Sequence, residues 1–168
     1  SEYWVASGYD IDYNEASGEE EAILNDVWVD PNIGVDEGNI IGDQGNPFLT
    51  INYAMSMIYP TEDNPITINL MEGTFSPSTT GETFPIIMVS NVNLIGEGQE
   101  VTILDAEQTN RVIEMQNCQN DIISTFTIAG GLAGSSGGGI SISYSDVTLR
   151  QMTISDNICD SPGGGIFL

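Results

Sequence analysis

Short runs of alternating apolar and polar residues fill the chain from about residue 66 onward, and from residue 83 they repeat. Thr83-Phe-Pro-Ile-Ile-Met-Val, Asn110-Arg-Val-Ile-Glu-Met-Gln, Gly137-Gly-Gly-Ile-Ser-Ile-Ser and Gly163-Gly-Gly-Ile-Phe-Leu open successive lines of about 26 residues. Ile86, Ile113, Ile140 and Ile166 share one column, spaced 27, 27 and 26. Ile103, Ile128 and Ile154 form a second, spaced 25 and 26, and Ile123 pairs with Leu149 in a third. A fixed period carrying several short alternating runs is how a solenoid reads. Each run is rich in β-branched residues, and Gly and Asn stand between the runs. No helix-sized pattern follows residue 60, so the coils are built of strands alone. The expected fold is an all-β solenoid, a parallel β-helix of about four coils. Strands of successive coils stack about 4.8 Å apart, and Ile66-Thr-Ile-Asn-Leu is the first of them.

Ahead of the coils the period changes. Phe48, Ile51, Met55 and Ile58 recur at helical spacing with Ala54 beside them. Asn46 reads as an N-cap and Pro47 as the first helical residue. A short N-terminal capping α-helix over about residues 47–58 is expected, ending before Pro60. Its role is to cover the first coil, whose apolar end and strand edges need shielding. Residues 1–26 read as an acidic, turn-rich segment holding one short strand, Tyr3-Trp-Val-Ala, and residues 27–168 as the capped β-helix.

Charge narrows the function. The chain has 25 acidic residues against Arg111 and Arg150, no Lys and no His, for a net charge of −23. That balance opposes nucleic acid, whose phosphates need basic side chains, and anionic membrane surfaces. No run reaches the roughly 18 apolar residues of a membrane span, so no membrane insertion is expected. Repulsion of this size calls for salt or bound cations. Twelve of the 25 carboxylates lie within the first 43 residues. Asp30, Asn32, Asp36, Glu37 and Asp43 gather hard oxygen donors in one loop and are the better candidate Ca²⁺ site. Asp10, Asp12, Asn14 and Glu21 match positions 1, 3, 5 and 12 of a calcium loop, but Glu15 stands where the central Gly belongs, making this the weaker candidate. For both loops the alternative is a solvated acidic surface. Low Lys with abundant Asn, Gly, Ser and Thr fits an extracellular or cell-surface protein. Cys118 and Cys159 lie 41 residues apart, which is not a multiple of the coil, so they read as two small buried hydrophobes, with a disulfide as the alternative.

Val27-Trp-Val-Asp-Pro-Asn-Ile-Gly-Val-Asp-Glu-Gly-Asn, followed by Asn46-Pro-Phe-Leu-Thr-Ile-Asn-Tyr-Ala, Gly73-Thr-Phe, Phe84-Pro-Ile and Asn93-Leu-Ile-Gly-Glu-Gly, resembles the opening of secreted right-handed β-helix proteins of the pectate-lyase-like superfamily. The Gly-Gly-Gly-Ile starts at 137 and 163, with Met152-Thr-Ile-Ser-Asp-Asn between them, resemble repeats of polymorphic outer-membrane adhesins. The resemblance implies a right-handed coil and leaves lyases, hydrolases and adhesins open, because one fold hosts many functions. Similar lyases bind uronates through Ca²⁺ and use an Arg or Lys base. Here Arg111 and Arg150 are 39 residues apart and out of coil register. Similar hydrolases use a His and a basic motif, which this chain lacks. A polyanionic substrate would also be repelled. The expected function is therefore a non-enzymatic structural or adhesive module with no catalytic residues. The final Gly-Gly-Gly-Ile-Phe-Leu starts a coil and provides no cap, so either more chain or a neighbour covers that end; the module would self-associate through the β-helix ends or by insertion of Tyr3-Trp-Val-Ala into a neighbouring copy. The alternatives are a carbohydrate-binding module, whose candidate aromatics Trp4, Trp28, Tyr53, Tyr59 and Tyr144 are scattered, or a polysaccharide lyase or hydrolase.

Overall fold

The computed structural model describes residues 22–38, 40–161 and 163–168. Strand β1 (Val27–Val29) and helix α1 (Ile51–Met57) precede the coils. The first coil holds β2 (Ile66–Leu70), β3 (Gly73–Phe75) and β4 (Ile86–Ile87). The second holds β5 (Val92–Gly96), β6 (Thr102–Asp105) and β7 (Ile113–Gln116). The third holds β8 (Asp121–Ser124), β9 (Thr127–Ala129), β10 (Leu132–Ala133) and β11 (Ile140–Ser143). The fourth holds β12 (Val147–Arg150), β13 (Thr153–Ile154), β14 (Ile158–Cys159) and β15 (Ile166–Phe167). Strands stack into three main faces, ordered β1-β2-β5-β8-β12, β3-β6-β9-β13 and β4-β7-β11-β15, with a short β10-β14 pair at one corner. Every strand pairing is parallel. The architecture is the expected all-β solenoid of about four turns, consistent with a right-handed parallel β-helix.

Inward columns carry the fold. Ile86, Ile113, Ile140 and Ile166 pair rung on rung as their spacing predicts. On the five-stranded face Val27, Ile68, Leu94, Ile123 and Leu149 form one continuous column. The first four are fully buried, and full burial of one such side chain stabilises by about 1.5–3 kcal/mol. The expected column of Ile103, Ile128 and Ile154 departs from expectation at one residue. Ile128 stacks on Ile154, but beneath it lies Leu104, while Ile103 pairs with Thr127 on the outside. The cause is Thr102. It takes an inward position because its hydroxyl donates to the Met71 carbonyl at 3.3 Å and accepts the Glu97 N–H at 3.2 Å. Leu104 then follows it inward and Ile103 turns out.

Helix α1 packs on β1 and β4 and closes the N-terminal end. The apolar set is the one the spacing picks out, with Phe48, Ile51, Ala54, Met55 and Ile58 all buried. Its start differs. Phe48 is drawn into a parallel bridge with Val29, so Asn46-Pro47 lies before the helix and not at its cap. Thr50, in extended conformation, is the N-cap and accepts the Tyr53 N–H at 3.2 Å. The cap also includes residues just before 27: Ile23 bridges Ile58, and the Asp26 carboxylate accepts the Thr67 N–H at 2.7 Å.

The glycine triplets lie under main chain. A Cβ on Gly138 would meet the carbonyl oxygens of Ile158 and Gly164. Gly137 donates to the Gly163 carbonyl at 2.9 Å, so the two triplets are themselves a rung pair.

Candidate functional site

In the described acidic loop several carboxylates accept main-chain amides. In the loop ahead of α1, Asp30 accepts the Asn32 N–H at 2.8 Å and the Ile33 N–H at 3.4 Å. Asn32 donates to the Glu72 carbonyl at 2.9 Å, tying the loop to the first coil. Asp36 accepts the Leu49 and Thr50 N–H groups at 2.7 and 3.2 Å and the Thr50 hydroxyl at 2.6 Å. Asp43 accepts from Gly45 and Asn46 at 2.9 and 2.8 Å. Asp30, Asp36 and Asp43 thus each close a different turn, and Glu37 is exposed. Among the described residues no group of three or more His, Cys, Asp or Glu side chains converges as a metal site. Asp10, Asp12, Asn14 and Glu21 lie outside the described residues, as does Tyr3-Trp-Val-Ala.

Among the described residues, two carboxylates that the sequence reading passed over are the most buried. Glu82 is 1% exposed. It caps α1 from the first coil, accepting the Ile51 N–H at 2.6 Å, the Asn52 N–H at 3.3 Å and the Asn52 side-chain amide at 2.9 Å. Burial pushes its carboxyl up to about 7 against the lowering effect of those donors. Asp121 is 2% exposed and lies inside the five-stranded face. Its Oδ1 accepts the Val92 N–H at 3.1 Å, and burial pushes its carboxyl up to about 6. A signal for Asp121 was present in the spacing: Ile66, Val92 and Val147 occupy the same column. Glu82 left no such signal, because a loop carries no period.

Among the described residues the two arginines lie apart. The Arg111 guanidinium lies 3.7 Å from Glu114 and donates to the Ser135 hydroxyl at 3.2 Å and the Ser136 carbonyl at 3.4 Å. Arg150 is exposed at the end of β12, on a different face. Trp28 sits on β1, Tyr53 on α1 and Tyr144 at the corner after β11, so they make no aromatic row. Both cysteines are free thiols: Cys118 is buried, as expected, whereas Cys159 is only half-buried.

The two ends of the β-helix differ. At the N-terminal end β1 is covered: Trp28 donates to the Gly42 carbonyl at 2.7 Å and accepts from Phe48 at 2.9 Å. In the last described coil β12, β13, β14 and β15 each have a strand neighbour on one side only among the described residues. Their apolar residues are correspondingly less buried, with Ile158, Ile166, Phe167 and Leu168 exposed. Among the described residues no helix is long and apolar enough to cross a membrane.

No curated protein and no solved structure matches the chain. Residues 33–109, which hold most of the acidic loop, α1, the first coil and β5 and β6, match a family described as "Protein of unknown function (DUF1565)", a family typical of β-helix proteins.

Proposed function

We propose that the chain is a non-enzymatic structural module of an extracellular surface, adhesive in role, that self-associates by strand addition through its β-helix ends or its N-terminal strand. The observation that carries this reading is the last described coil. The N-terminal end is covered by α1 and the segment around Gly42 and Phe48, whereas among the described residues β12, β13 and β15 are paired on one side, beside exposed Ile166, Phe167 and Leu168, where a further coil or a strand of a second copy would stack. Unpaired strand edges template the addition of another strand. The donor that the sequence offers is Tyr3-Trp-Val-Ala of a second copy. Strand donation from the N-terminal segment of one copy to the coils of the next would give a head-to-tail chain. The carboxylates support the same reading, because Asp26, Asp30, Asp36, Asp43 and Glu82 hold main-chain amides in place. That is the use a framework makes of them.

The test is mass by light scattering against protein concentration, at high salt to screen the charge. The full chain is expected to grow beyond a monomer, and deletion of residues 1–21 to abolish that growth. A full chain that stays monomeric up to millimolar concentration, with or without Ca²⁺, contradicts self-association.

A further inference from the structure

The inward column that begins at Ile66 continues through Val92 and reaches Val147, and in the same register its third rung is Asp121. A carboxyl therefore stands where the neighbouring coils place aliphatic side chains. It is 2% exposed, and its Oδ2 is the one buried side-chain oxygen or nitrogen among the described residues with no hydrogen-bond partner. An ionised carboxylate in such a place needs a cation or several donors. Oδ2 has none: the Val92 N–H reaches Oδ1 at 3.1 Å, and the Asn91 N–H and the Cys118 thiol also favour the charged form, but Oδ2 is left without a partner. The Cys118 thiol is the titratable group that faces it, and Cys118 Sγ donates to the Met88 carbonyl at 3.2 Å. From β5 no titratable side chain approaches. From β12 Arg150 is exposed and points away from the core, and at the corner before β12 Tyr144 and Asp146 are exposed.

The corner around Asp121 joins three coils. Asn91 N–H donates to the Gln119 carbonyl at 2.9 Å, linking the second coil to the third. Asp146 N–H donates to the Cys118 carbonyl at 2.8 Å, and Asp121 N–H reaches the Asp146 carbonyl at 3.5 Å, linking the third to the fourth. We propose that Asp121 is a proton-operated latch at this corner. With a proton on Oδ2 the side chain sits in the core as a neutral group. Loss of that proton leaves an unpaired negative charge between Val92 and Val147 and loosens the seating of the fourth coil.

Burial holds the Asp121 carboxyl near 6, so the latch works between mildly acidic and neutral pH. The Cys118 thiol is pushed up by burial and by the Asp121 charge, and stays protonated across that range.

The experiment uses the full chain. The Asp121 carboxyl carbon is followed by NMR through pH 3–9, and amide hydrogen exchange at Val92, Asp121 and Asp146 is measured at pH 5 and pH 8, corrected for intrinsic rate. The carboxyl is expected to titrate about two pH units above an ordinary aspartate. Protection at the three amides is expected to fall about tenfold or more from pH 5 to pH 8 in the native chain, and less than about twofold in Asp121→Asn. A carboxyl that titrates in the ordinary range overturns the proposal, whatever the variant does. So does an equal loss of protection in the native chain and in Asp121→Asn.

Discussion

Glu82 shows how one residue couples the cap to the coils. Its carboxyl is raised in the folded state from 4.5 to about 7, so the folded chain binds that proton more tightly than the unfolded chain does. Stability from this group is therefore fully present below about 4.5, declines as pH rises, and is lost above about 7. The thermal midpoint is expected to be higher at pH 5 than at pH 8, and Glu82→Gln to flatten the change between them. A native midpoint that is lower at pH 5, or an unchanged slope in the variant, would refute the assignment. Gly96 carries a steric constraint. A Cβ there would lie 2.5 Å from the Thr125 carbonyl oxygen and 2.8 Å from Phe126 Cβ. Gly96→Ala is expected to cost about 1–3 kcal/mol in denaturant unfolding, and a cost near zero would show that the coil gives way there. At this scale the sequence was legible where a residue sits in a column, as with Ile113. It was misleading at Ile103, because the inward turn of Thr102 depends on a hydroxyl partner in the preceding coil, 31 residues away in the chain.

Among the elements, strands were legible and the helix start was not. Alternation identifies β2 and β5, each buried at every second residue. The apolar set of α1 was equally clear, yet Asn46-Pro47 offered a strong local cap that the structure does not use. The competing force is tertiary: Phe48 gains full burial and a bridge to Val29, and Thr50 then caps the helix with Asp36 behind it. Thr50→Ala is expected to destabilise by about 1 kcal/mol, measured by urea unfolding. Asn46→Ala should cost less, and the reverse order would favour the earlier start. The acidic loop belongs to this scale too. Its donors were visible in the sequence, but which amide each would accept depends on the folded turn. Those bonds tie the loop to main-chain amides, and EDTA is expected to leave the thermal midpoint unchanged. A fall of more than about 4 °C, roughly what 1 kcal/mol produces in a domain of this size, would give the loop a structural ion.

Across the whole molecule, a net charge of −23 is carried by a scaffold whose interior is columns of Ile, Leu, Val and Phe. Among the described residues the charge lies mostly on loops and outward positions, and the period keeps the interior apolar, with Glu82 and Asp121 the buried carboxylates. The period made the architecture readable, because each coil repeats the same burial problem. The difference between the two ends was only half readable. The capping helix announced itself, but the covering of β1 by Gly42 and Phe48 depends on a fold-back that no spacing encodes. The most direct test of the account is methyl NOE spectroscopy on protein labelled only at isoleucine δ1 carbons. Rungs about 4.8 Å apart predict cross-peaks from Ile86 to Ile113, from Ile113 to Ile140 and from Ile140 to Ile166, with none from Ile86 to Ile166. Absence of that chain of contacts, with Ile113 instead near residues of another face, would contradict the stacked coils and every role drawn from them.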